Sequence, residues 1–178
     1  MRTSLFARML SFSILAMAVC FSIQPAQSQV SPVSTESLSR QADVIAVAHV
    51  SSLLPEWDES RTRITTRVIL SVSEYVKGSN SGTTLTLLVP GGEIDGVGEM
   101  YSDMPVFRKD EDIMVFAVKD KGEQYRVAGG VQGKYSISTE SVTGSRLISG
   151  GTPLAQFVAQ VRKSIVAPPA ESQKSSTK

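Results

Sequence analysis

The chain has 178 residues, with 18 basic and 17 acidic side chains, one histidine and one cysteine. Its charges are interspersed and nearly balanced, which excludes the basic face that a nucleic-acid binder presents. Cys20 lies in an N-terminal apolar run, so the chain beyond it has no thiol and excludes disulfides, thiolate metal sites and a cysteine nucleophile.

Residues 1–28 have the pattern of a secretory signal peptide. Arg2 and Arg8 precede an apolar run from Met9 to Ile23, Pro25 ends it, and Ala26-Gln27-Ser28 supplies small residues for cleavage. The run is shorter than the roughly 20 residues a membrane span needs. Val19 before Cys20 argues against lipidation. Cleavage after Ser28 leaves Gln29 as the first residue and a secreted or periplasmic chain of about 150 residues, enough for one domain. The domain is expected over 29–166. The polar stretch 167–178 has no apolar periodicity and reads as a disordered tail.

Ser34 to Gln41 reads as a short helix capped by Ser34 or Thr35, with Leu38 facing inward. Asp43 to Leu54 reads as a strand that is apolar on both faces at its start. Pro55 to Thr62 reads as a polar loop. Arg63 to Val76 alternates apolar and polar residues with period 2, the mark of a strand with one packed face. After a turn at 78–82, Thr83 to Val89 reads as its partner. Pro90 to Asp110 reads as a long loop. Asp112 to Val118 reads as a central strand, Asp120 to Glu123 as a hairpin turn, and 124–131 and 134–138 as further strands.

Thr152 is expected to cap a last helix with Pro153 at its first position. Leu154, Phe157, Val158, Val161 and Ile165 form one apolar stripe on it. No helix lies between strands to make a parallel crossover. The expected fold is therefore mainly β: a small antiparallel, OB-like barrel of about six strands, flanked by a short N-terminal helix and an amphipathic C-terminal helix.

Several stretches carry a resemblance. Ala42-Asp43-Val44-Ile45, Thr66 to Gly78, Pro90-Gly91-Gly92, Pro105-Val106-Phe107, Asp110 to Phe116 and Gln132-Gly133-Lys134-Tyr135 resemble a group of secreted bacterial proteins of unknown function. The order Ala-Asp-Val-Ile, long strand, Val-Lys-Gly is also similar to netrin-like domains, the family of the tissue metalloproteinase inhibitors. That resemblance implies an OB-type barrel with flanking helices. Those inhibitors chelate a protease zinc with an N-terminal cysteine and carry several disulfides. This chain has neither, so inhibition does not carry over.

Motifs of chemistry are sparse. His49 alone makes no zinc site of the usual kind, and no serine stands in a nucleophile motif beside it. Gly129-Gly130-Val131-Gln132-Gly133-Lys134 lacks the spacing of a phosphate loop and reads as a tight bend or bulge. Ser175-Ser176-Thr177-Lys178 matches Ser-x-x-Lys only by letters. Arg61, Arg63 and Arg67 read as a wet sheet face. The longest loop is the best place for function. Its acidic residues Glu93, Asp95, Glu99 and Asp103 and its apolar residues Met100, Tyr101, Met104 and Phe107 are the candidate binding residues. No catalytic residue, metal ligand or cofactor is assigned. The expected function is a secreted, non-enzymatic binding module whose partner is a protein, with no nucleic acid and no stable membrane span. A carboxylate-based hydrolase using Glu74, or a calcium-dependent envelope protein, are the alternatives.

Overall fold

The computed structural model describes residues 33–78, 82–120 and 122–167. The expected leader with Cys20, the residue Gln29, the centre of the 78–82 turn and the tail after Ala167 lie outside them.

Helix α1 (Thr35–Gln41) starts as its sequence dictates. Ser34 is extended and its hydroxyl accepts from the Ser37 amide at 3.1 Å. The helix stops at Ala42, whose backbone is again extended. Lys77 closes its C-terminus: Nζ donates to the carbonyls of Ser39, Arg40 and Ala42 at 2.8, 3.1 and 2.5 Å. A cation there meets the negative end of the helix dipole and the unpaired carbonyls together. Gly78 follows with φ +69°, and a Cβ on it would come 2.4 Å from the Asp43 carbonyl oxygen. The Ala42-Asp43 and Lys77-Gly78 segments therefore meet in space, and their residue types follow from that contact.

The strands are β1 (Val44–Trp57), β2 (Ile64–Lys77), β3 (Thr84–Pro90), β4 (Gly92–Ile94), β5 (Val97–Glu99), β6 (Asp112–Lys119), β7 (Gln124–Val127), β8 (Lys134–Thr139), β9 (Arg146–Ile148) and β10 (Thr152–Pro153). Helix α2 (Leu154–Val166) ends the described chain. The order β1-β2-β3-β7-β6 closes on itself through a β1–β6 pairing, giving a five-stranded OB-like barrel. Two features are finer than the sequence expectation. The sixth expected strand, β8, pairs with β6 outside the barrel and continues into β9 and β10. One seam is parallel: β3 meets β7 through Thr86↔Gln124 and Leu87↔Tyr125. No crossover helix is needed, because β4, β5 and β6 intervene in the chain.

The first half of β1 and most of β6 are buried on both faces and carry two cores. Val44, Ala46, Ala48, Val50, Ile113, Val115 and Ala117 point into the barrel with residues of β2 and β3. Ile45, Val47, Met114 and Phe116 point outward, against α1, α2, β8 and β9. The α2 stripe fills this second core: Leu154, Phe157, Val158 and Val161 are buried and Ile165 is partly buried. Thr152 does not cap α2 as expected. It pairs with Ile148 as part of β10, Pro153 takes the cap position, and no side chain caps the helix.

Three other segments differ from the sequence expectation. β1 runs on to Trp57 through the stretch expected as a loop, because Pro55 sits on an edge strand, where a missing amide is tolerated. The expected loop 90–110 contains the β4–β5 hairpin. Its Asp95 and Gly96 have φ 52° and 79°, the two positive values of a tight two-residue hairpin turn. The Gly129–Lys134 bend is a 3-10 turn over Gly130–Gly133, entered through left-handed Gly129.

Candidate functional site

β1 leaves the barrel at His49↔Asp112, its last pairing with β6, and continues against β2 alone as far as Trp57↔Ile64. This end of β1, the β2 and β3 strands beside it and the segment 91–107 enclose a cleft of ≈ 750 Å³ at the barrel mouth. Leu53, Val68, Val89, Met100, Met104 and Val106 are among its walls. Such a volume with mainly apolar walls is in the range of ligand sites.

The hairpin that roofs the cleft is fastened by named bonds. The Gly91 amide donates to the Ile64 carbonyl at 2.8 Å, and Thr66 Oγ1 donates to the Gly91 carbonyl at 2.6 Å. Gly92 lies so close to the sheet that a Cβ would stand 2.4 Å from Thr66 Oγ1. Glu99 accepts the Ile64 amide at 2.6 Å on Oε2 and the Tyr101 hydroxyl at 2.7 Å on Oε1. These bonds, the Ile64 amide first, hold its carboxyl below the usual glutamate range. The bond to Glu99 pushes the Tyr101 hydroxyl up.

The predicted binding residues therefore divide. Met100, 82% exposed, stands at the cleft with the exposed Val106. Glu93 is exposed on β4 and lines the cleft; Asp95 is exposed at the hairpin tip; the Asp103 residue is exposed while its carbonyl takes the Val131 amide at 3.0 Å. Glu99 and Tyr101 hold the hairpin down. Met104 and Phe107 line the cleft from its inner side: Met104 packs against the barrel core and Phe107, 8% exposed, belongs to it. The four carboxylates do not converge, and no group of three metal-ligating side chains is placed to hold an ion among the described residues.

Beneath the segment lies a buried ion pair that the sequence reading missed. Lys134 Nζ donates to both Glu111 oxygens at 2.8 Å and to the Val106 carbonyl at 2.8 Å, and it sits 5.2 Å from the centre of the Phe107 ring. Ser136 Oγ donates to Glu111 Oε1 at 2.5 Å. Burial alone would raise the Glu111 carboxyl, but the bonds from Lys134 and Ser136 hold it below the usual range. The cluster fixes 106–108 to β8 and so sets the floor of the cleft.

The remaining candidates lie elsewhere. His49 Nδ1 is 2.8 Å from Asp112 Oδ1 and Nε2 is 3.7 Å from Asp110 Oδ1. The two carboxylates approach opposite ring nitrogens, so one ion cannot be bound by all three. The Asp112 bond raises the imidazole above 6.5. Glu74 accepts from Arg162 of α2 at 2.8 Å, which accounts for a charge interrupting the β2 pattern. Arg67 pairs with Glu56 at 2.8 Å on the sheet surface. No family model and no curated protein matches the chain.

Proposed function

We propose that this chain is an exported, non-enzymatic binding module that holds a protein partner in the cleft at the barrel mouth. The observation that carries the reading is the cleft itself: ≈ 750 Å³, walled by aliphatic and methionine side chains, with Met100 and Val106 exposed at it. Apolar surface held open to solvent at a concave site favours a partner that buries it. The hairpin roof is pinned at Gly91, Thr66 and Glu99, so the cleft is set before a partner arrives, which lowers the entropy cost of binding. The barrel with flanking helices is also what the resemblance to netrin-like domains implies. Acid–base chemistry has weaker support. Glu99 has both oxygens engaged and is held ionised, whereas a carboxylate pair for hydrolysis needs one member protonated near neutral pH.

Photo-crosslinking from a benzoylphenylalanine at position 100 of the exported protein tests the reading. A discrete protein adduct is expected from position 100 and not from position 142, where Val142 is exposed outside the cleft. Val106→Asp should abolish the adduct with an unchanged melting temperature. Equal capture from both positions, or indifference to Val106→Asp, would overturn the assignment.

A further inference from the structure

The outer edge of β1 beyond the barrel has no strand beside it among the described residues. Pairing with β6 ends at His49↔Asp112, and the Val50 amide and carbonyl make the last backbone bonds on that side, to Glu111 and Asp110. From Ser51 to Trp57 the strand pairs only with β2. The free edge is long enough for a strand of about six residues at roughly 3.3 Å each. It also borders the cleft, because Leu53 and Pro55 on the same strand line it. A partner segment lying along this edge would direct alternate side chains onto the face that the hairpin roofs.

We infer that the partner is engaged by strand addition: an extended segment pairs with the free edge of β1 at 51–57 and places alternate apolar side chains at the cleft. This deepens the binding reading above and rests on it. Charge selects the class of segment. The chain between Gly78 and Arg108 contains Glu93, Asp95, Glu99 and Asp103 and no lysine or arginine. Glu99 is turned inward, which leaves Glu93, Asp95 and Asp103 exposed on the segment that roofs the cleft. An alternating apolar and basic strand complements both features, by main-chain bonds for affinity and charge for selection. A second copy of this chain fits less well. The hairpin of each copy would bring more acid to the same sheet.

The test uses the full exported chain and an acetylated valine–lysine octapeptide, with a valine–glutamate octapeptide as control. The expected result is binding of the lysine peptide only, with amide shifts and slowed exchange at 51–57 as well as at 98–107. N-methylation of the peptide on one alternate set of amides should weaken binding by about tenfold, and on the other set by less than about twofold. That alternation is the mark of a paired strand. Equal effects of the two methylated peptides, or shifts confined to 98–107, would overturn strand addition while leaving the cleft as the binding site. Binding of the glutamate peptide as tight as that of the lysine peptide would overturn the charge assignment. If no peptide binds but crosslinking from position 100 still succeeds, the inference fails and the binding reading stands. A dimer in sedimentation that Leu54→Lys dissolves would assign the edge to self-association and overturn it.

Discussion

Lys134 and Glu111 are 7% and 14% exposed, whereas most other ion-paired side chains in the described structure stand well out in solvent. Exposed pairs contribute little, but removing one partner of a buried pair leaves an uncompensated charge. Lys134→Met should therefore lower stability by about 3 kcal/mol, and Lys134→Met with Glu111→Leu should recover much of the loss. Chemical denaturation of the three proteins measures both. The pH dependence follows from direction. Glu111 titrates below its ordinary 4.5 when folded, so its contribution is fully present above 4.5 and is lost as pH falls through the depressed folded value. Below about pH 5, wild type should lose stability more steeply than Glu111→Gln; parallel acid limbs would remove the pair from the account. His49 has the opposite sign, with a contribution present below 6.5 and lost as pH rises through its raised value. The sequence hid the cluster because Asp110, Glu111 and Asp112 look like one acidic run. The chain turns there: Asp110 is left-handed, with φ 63°, and β6 begins at Asp112, so 110 and 112 face His49 while Glu111 faces Lys134.

Among the elements, legibility followed periodicity. The α2 stripe and the alternation of β2 are long, and each needs a single buried face, so both are legible in the sequence. Short strands such as β4, β5 and β9 bury little and leave no such pattern, although Asp95-Gly96 between Ile94 and Val97 is a hairpin signal that could have located β4 and β5. The far half of β1 was obscured for another reason. Pro55 looks like a strand breaker unless the strand is known to lie at an edge, and that is set by where β6 stops. Of the eight candidate residues of the loop, six line the cleft, and four of those, Glu99, Tyr101, Met104 and Phe107, also fasten the segment or pack on the barrel. The inward packing of Met104 and Phe107 depends on the barrel mouth beneath them, which no local pattern encodes. For α2 the consequence is measurable. Phe157 is buried with its ring centre 5.0 Å from that of Tyr135, which in turn lies 5.8 Å from Phe116 of β6. Phe157→Ala should cost about 3–5 kcal/mol, read as a lower denaturation midpoint. A loss under about 1 kcal/mol would mean that the helix is not a structural part of the second core.

At the scale of the whole molecule, the two cores share β1 and β6 and cannot be lost independently. From Val44 to Ala48 and from Ile113 to Ala117, each inward residue has an outward neighbour in the other core: Ala46 beside Ile45 and Val47, Val115 beside Met114 and Phe116. The barrel closes between residues far apart in sequence, as at Ala46↔Val115, so closure comes at a large loop entropy that only complete packing offsets. The closing seam is also narrow. Ala46, Ala48 and Ala117 are fully or almost fully buried at it, small residues where β1 and β6 face the barrel interior. Ala46→Leu should therefore overpack the barrel and cost about 1–3 kcal/mol. Because the strand is shared, the loss should appear equally in far-UV dichroism, which follows the sheet, and in the fluorine resonance of a fluorinated Phe157, the aromatic signal that follows the Tyr135–Phe157 contact of the other core. Both probes should move together to one lower midpoint. If Ala46→Leu shifted the sheet signal while the aromatic signal kept its wild-type midpoint, the cores would be separable units. The cleft would then sit on a barrel that opens without its helices, and pinning of the hairpin at Ile64 could no longer be counted as preorganisation of the site.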